Sequence, residues 1–145
     1  MPPQELIGAS LFLGLVAVVT ISRHGAYMLA FMLGRTALAP GELGVMVLNI
    51  AGFTASLWLL ALRRWAWRLS VAYAVVMVGL RAFYVFDDLA PGIVRGAGDV
   101  EWLAALGEFA LGFVFLIVLA YLVSEETRER LNARDEYRQA QVRGA

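Results

Sequence analysis

The chain has 145 residues, of which 61% are apolar, with no cysteine and with 12 basic and 12 acidic residues. The apolar fraction exceeds the roughly 45–50% of soluble domains, and the charges fall almost entirely between and after long apolar runs, which predicts an integral membrane protein. The lack of cysteine excludes disulfides and thiolate metal sites, and zero formal charge gives no bulk attraction to nucleic acid. We expect an all-α bundle of four antiparallel transmembrane helices over residues 1–123 and a charged tail over residues 124–145.

The first apolar run, residues 6–22, is just long enough to cross a hydrocarbon layer of roughly 30 Å. Ser10, Gly14 and Ala17 recur along it at i, i+4 and i+7 and present one face of small residues. Small faces let transmembrane helices approach closely. We therefore predict that this face packs against another helix.

Arg23 and His24 follow that run, and a shorter apolar run continues to residue 34. Two interpretations remain: a continuous helix to residue 34, or a break at Gly25 followed by an interfacial segment. His24 is the single histidine and could ligate haem or sense pH, if another helix or chain supplied a partner. Because no supporting motif is present, we predict an interfacial histidine close in depth to Glu42, and no cofactor or metal.

The second span covers residues 42–62. Asn49, Gly52 and Ser56 fall on one of its faces at i, i+3 and i+7. Asn and Ser within a span usually bond to a neighbouring helix or to their own backbone. Helix packing is therefore the predicted role of this face.

An arginine–tryptophan cluster follows the second span and predicts a tight turn at a membrane surface, since tryptophan favours the interface. This turn holds three arginines and the tail five, against three between the other spans. The positive-inside bias therefore predicts a multi-pass protein of the cell (inner or plasma) membrane with both termini in the cytoplasm. The predicted interface anchors are Arg63, Arg64, Trp65, Trp67, Arg68 and, before the last span, Trp102.

The third span covers residues 69–86 and the fourth covers residues 103–123. Asp87 and Asp88 are predicted to end the third span. The proline and glycines of residues 89–101 predict an irregular loop between the two spans. Each of these spans contains a single charged residue, which makes that residue a candidate for function.

Those two residues are Arg81 and Glu108, and counting from the helix ends places them at matching depth in consecutive helices. An unpaired charge inside a membrane costs about 2.5–3.5 kcal/mol or more, so we predict an ion pair. Tyr84 and Asp88 share the face of Arg81 and could complete its hydrogen bonding. Three interpretations remain: a pair that fixes helix register, an arginine that snorkels alone to the surface, or a polar path or binding site for an ion, a proton or an anionic headgroup.

Motifs for nucleotide binding, nucleophilic catalysis or zinc hydrolysis are lacking in the sequence, so we predict no enzymatic activity. The four-span plan with a charged tail resembles that of many small bacterial membrane proteins and of some phage holins. We expect an accessory or assembly subunit that packs, through its small-residue faces, against itself or other membrane subunits. The first alternative is an oligomeric channel, transporter or holin-like pore with Arg81 and Glu108 in its polar path. The second is a haem-binding electron-transfer subunit that uses His24.

Overall fold

The computed structural model describes residues 4–35, 41–95 and 102–143. Within these ranges the chain is all-helical, with short turns and no strand. The five helices are α1 (Gln4–Met32), α2 (Glu42–Leu59), α3 (Arg64–Arg95), α4 (Trp102–Val123) and α5 (Glu125–Arg143).

Helices α1 to α4 are long and apolar enough to cross a membrane, which confirms the expected number of candidate spans. In the most apolar window of each helix, at most 28% of the residues are buried. Large apolar side chains therefore cover the outside of the molecule, as Leu11, Leu15 and Phe109 do with exposed fractions of 63–65%. A soluble monomer rarely exposes so much contiguous apolar surface.

The interior is built where α1, α2, α3 and α4 meet, and the most extensive contacts join α3 to α4 and α1 to α2. Phe115 of α4 is fully buried and lies at the centre of this core. The ring of Phe12 meets it edge-on with centroids 5.0 Å apart, and that of Tyr73 does so at 6.2 Å. Edge-to-face rings at these distances are a favoured arrangement, so three helices are fixed around one aromatic residue.

Small residues allow the close approach of α1 and α2. Ser10 Oγ donates a hydrogen bond of 2.6 Å to the carbonyl of Ser56, and Ala17 is completely buried. A methyl group added at Gly14 would lie 2.9 Å from Ser56 Oγ, which is closer than van der Waals contact allows. The small face of α1 is therefore covered by α2 within the chain.

The polar face of α2 is covered in the same way by α3. A methyl group added at Gly52 would lie 2.6 Å from the ring of Tyr73. The hydroxyl of that tyrosine donates a hydrogen bond of 2.8 Å to Asn49 Oδ1. Both small-residue faces thus serve packing inside this chain, so they give no support for a partner subunit.

Three helix boundaries differ from the sequence-based expectation, and one open question is answered. The tight turn predicted over the arginine–tryptophan cluster is wrong from Arg64 onward, because α3 begins at that residue and the turn lies at residues 60–62. Helix α1 is continuous through Gly25 to Met32, so residues 23–32 extend the first helix. Helix α2 ends at Leu59 rather than at residue 62, because the chain turns through Leu62, whose φ of 51° lies in the left-handed region. Such a conformation does not continue a right-handed helix.

The larger difference is at the end of α3, which runs past Asp87 and Asp88 to Arg95. The expected irregular loop over residues 89–101 is therefore wrong for residues 89–95, which are helical. A proline beyond the first turn removes one helical hydrogen bond and costs about 3 kcal/mol, yet α3 continues through Pro91 to Arg95. Residues 96–101 lie outside the described ranges.

The tail is helical because the chain restarts a helix immediately after α4. Ser124 Oγ accepts a hydrogen bond of 3.4 Å from the backbone N–H of Thr127, the N-cap arrangement. Glu125 and Glu126 occupy the first turn of α5, where negative charge is favourable. Leu131 is 2% exposed, so this helix packs back on the bundle instead of projecting freely.

Candidate functional site

Arg81 of α3 and Glu108 of α4 are in direct contact. Arg81 Nη1 donates a hydrogen bond of 2.5 Å to Glu108 Oε2, and the two side chains are 15% and 28% exposed. The sequence-based prediction of this ion pair is confirmed: the two residues were paired because they lie at the same depth in consecutive spans. The alternative in which Arg81 snorkels to the surface without a partner is wrong, because Arg81 is bonded to Glu108.

Gly112 permits this close approach of α3 and α4. It lies one turn after Glu108 on the same face of α4, and a methyl group added to it would lie 3.2 Å from Arg81 Cβ. Its spacing of i+4 from the only acid in the span was a usable sequence signal that the motif analysis missed. Substitution here would press directly on the ion pair.

The guanidinium of Arg81 is incompletely bonded. It carries five N–H donors, and Nε is buried without an acceptor among the described residues. A buried structural ion pair is favourable only when further hydrogen bonds satisfy the remaining donors. The pair therefore lacks the full set of protein contacts expected of a purely structural one.

A second contact between polar side chains joins α1 and α2. His24 Nδ1 lies against Glu42 Oε2. His24 is near the end of α1 and Glu42 is the first residue of α2, so the contact spans the connection between them. The side chains are about one-fifth exposed, which leaves both reachable from a cavity beside them.

One cavity of about 620 Å³ brings both side-chain pairs together. It lies among α1, α2, α3 and α4, and its volume is within the roughly 300–1,000 Å³ typical of small-molecule sites. Its polar lining comprises Thr20, Arg23, His24, Glu42, Asn49, Arg81, Tyr84 and Glu108. The two pairs could be expected separately from the sequence, whereas the cavity that they share could not.

Arg23 is the charged lining residue without a described counter-ion. It is exposed, and within residues 4–35, 41–95 and 102–143 it makes no ion pair or side-chain hydrogen bond. The two glutamates are engaged with His24 and Arg81. With two arginines and two glutamates the lining has no formal net charge when histidine is counted as neutral, and the donors of Arg23 are not bonded to any described side chain.

Asn49 forms a fixed part of the cavity wall. Its Oδ1 accepts the hydrogen bond from Tyr73, and its Nδ2 donates one of 2.7 Å to the carbonyl of Val45. Because both ends of the amide are engaged and the residue is 1% exposed, its contacts are structural. Thr20 is likewise bonded to its own helix, at the carbonyl of Val16.

The Arg81–Glu108 pair also borders an apolar groove between α3 and α4. This groove has a volume of about 350 Å³. Apart from the ion pair, its lining is apolar, and it includes Phe109 and Phe113. The pair is thus part of the wall common to a polar cavity and an apolar, outward-facing groove.

The remaining predicted site residues are not all at the cavity. Tyr84 lines it and is 40% exposed, but it makes no hydrogen bond to Arg81 or Glu108. The side chains of Asp88 and Trp102 lie outside what the structure describes. The small-residue faces lie at helix contacts, as the fold requires.

The predicted interface anchors have more specific contacts than expected. Trp65 is 48% exposed and lies against Trp58, with ring centroids 6.1 Å apart. The guanidinium of Arg63 lies 5.9 Å from the centroid of Trp58, within cation–π range. Trp67 instead turns inward, and its Nε1 donates a hydrogen bond of 2.6 Å to the carbonyl of Leu122.

Comparison with protein-family models, with curated proteins and with solved structures gives no match. Among the described residues, no group of three or more His, Asp or Glu side chains is placed to hold a metal ion. Haem ligation by His24 stays a prediction, which the absorption spectrum of the purified protein tests. The site must therefore be interpreted from its own geometry.

Proposed function

We propose that this protein is an antiparallel four-span membrane protein that binds a small anionic ligand in the cavity, in the manner of a transporter or channel subunit. The observation that carries the proposal is that the Arg81–Glu108 and His24–Glu42 pairs and Arg23 line one cavity of about 620 Å³. Charged residues in apolar spans are costly and mark functional sites by default. A pair that only fixed helix register would not need a cavity of this size beside it.

The available arginine donors in the lining favour one class of ligand. Glu42 and Glu108 each have a cationic or titratable partner, whereas Arg23 has none among the described residues. Arg81 keeps N–H donors beyond the one that bonds Glu108. Carboxylates and phosphates are the groups that arginine binds best, often through two parallel hydrogen bonds.

Thermal unfolding of the detergent-purified protein tests this proposal with acetate, succinate and inorganic phosphate as probes, at matched ionic strength. A ligand that binds only the folded state stabilises it by about 2.7 kcal/mol at one hundred times its Kd. We expect at least one probe to raise the unfolding temperature of the wild type and of Arg35→Gln, but not of Arg23→Gln. Arg35 is the matched control because it is an exposed arginine after α1 that does not line the cavity.

The proposal fails if none of the three anions stabilises the wild type. It also fails if Arg23→Gln and Arg35→Gln respond alike, because the effect would then reflect surface charge. The accessory-subunit interpretation stays a prediction. Purification in mild detergent tests it, since a stable complex with another membrane protein would support it.

A further inference from the structure

A separate cavity of about 260 Å³ lies where the start of α3 meets α5. Its described lining is basic, aromatic and amide in character and includes no acidic residue. The lining residues are Arg64, Trp67, Arg68, Arg128, Leu131 and Asn132. Three arginines from two helices thus converge on one small cavity.

Hydrogen bonds and burial hold the walls of this cavity in place. Arg64 Nη2 donates a hydrogen bond of 2.5 Å to Asn132 Oδ1, which joins α3 to α5. The indole of Trp67 is fixed by its bond to Leu122, and Leu131 is buried between the helices. The cavity is therefore a built feature of the fold and not a chance gap between mobile side chains.

Arg68 and Arg128 leave their guanidinium groups available. Both are exposed, and neither makes an ion pair or a side-chain hydrogen bond with a described residue. Two available guanidinium groups at one cavity can offer up to ten N–H donors, five from each arginine. A phosphate group has the geometry and charge to accept several of them at once.

We propose that this cavity binds a phosphate group, supplied by the headgroup of an anionic phospholipid. The lipid source is favoured because the cavity lies beside the arginine–tryptophan cluster at the start of α3, which is predicted to sit at the cytoplasmic membrane surface. Basic pockets at that surface bind anionic headgroups. Lipid bound here would hold α5 against α3. The proposal is independent of the ligand of the larger cavity, which is lined by different residues.

Native mass spectrometry of the full chain in a neutral detergent tests this site, with phosphatidylglycerol, phosphatidylcholine and inorganic phosphate as the three probes. We expect phosphatidylglycerol to bind more tightly than phosphatidylcholine. Arg68→Gln and Arg128→Gln should each weaken that binding about fivefold, the effect of one arginine near an anionic lipid. Arg134→Gln is the matched control, since it removes the same charge from α5 away from the cavity.

The probes separate the sources of the phosphate. If inorganic phosphate binds with the same dependence on Arg68 and Arg128 while phosphatidylglycerol does not, the site takes a soluble phosphate and the lipid assignment is overturned. If Arg134→Gln weakens lipid binding as much as the other two variants, the attraction is general tail charge and the site is overturned. Equal binding of both phospholipids overturns it as well.

Discussion

Neutralising the partly buried ion pair of Arg81 and Glu108 is the sharpest test of how the site is built. Glu108→Gln removes the charge opposite Arg81 while keeping a side chain of nearly the same shape. Arg81 is then left 15% exposed with no described anionic partner. The substitution should therefore lower the free energy of unfolding.

The magnitude follows from the exposure of the pair. Breaking a fully buried pair costs about 3–5 kcal/mol, and an exposed pair contributes about 0–1 kcal/mol. With side chains 15% and 28% exposed beside a cavity, and with the glutamine oxygen still able to accept a hydrogen bond, we expect a loss of about 1–2 kcal/mol. The double variant Arg81→Gln/Glu108→Gln should recover part of it, because no buried charge then remains.

The assay is a double-mutant cycle on the detergent-solubilised protein, with equilibrium unfolding followed by tryptophan fluorescence. Glu126 and Arg130 of α5 give a matched control pair, since their side chains are 65% and 46% exposed. We expect a coupling of about 1–2 kcal/mol for the buried pair and at most about 0.5 kcal/mol for the control. Equal coupling energies, or a value near zero for Arg81 and Glu108, would refute the argument that burial makes this pair strong.

Other consequences can be measured on the same preparation. Gly52→Ala should lower the free energy of unfolding by about 1–3 kcal/mol, because the added methyl group would overlap the Tyr73 ring at 2.6 Å; Gly79→Ala, with open space around it, is the control and should not destabilise. Tyr73→Phe should cost about 1 kcal/mol through the lost hydrogen bond to Asn49, and an unchanged stability would contradict that bond. A reporter protein that is active only in the cytoplasm should be active when fused after residue 145, and one that is active only outside the cytoplasm should not. The opposite result would reverse the predicted topology.

The number of helices and their apolar character could be predicted from sequence, because charges interrupt apolar runs in a way that requires no knowledge of packing. The end of α3 could not be predicted by the same rules. Proline and glycine after Asp88 were interpreted as a loop, yet the helix continues to Arg95. Turn signals give a local tendency, and even the cost of a proline within a helix, about 3 kcal/mol, does not end α3 at that point.

The site was partly predictable. Matching depths in consecutive helices was enough to pair Arg81 with Glu108 and to place His24 near Glu42. It was not enough to show that the two pairs share a cavity, because that depends on how each helix is rotated about its axis. The same limit explains why the face that includes Gly52 could be assigned to helix packing, whereas Tyr73 could not be named as the residue that packs on it.

The most direct test of the central claim, a polar cavity inside a membrane-spanning bundle, is cysteine labelling in intact membranes. The chain has no native cysteine, so single variants report without background. Thr20 lines the cavity, whereas Val18, two residues earlier on α1, is 42% exposed on the apolar exterior. The thiolate that reacts forms only where water is present.

We therefore predict that a charged, membrane-impermeant thiol reagent modifies Thr20→Cys quickly and Val18→Cys hardly at all, although the structure leaves Val18 openly exposed. Denaturing detergent should abolish the difference. Fast labelling of Val18→Cys in the membrane, or no labelling of Thr20→Cys, would contradict the account.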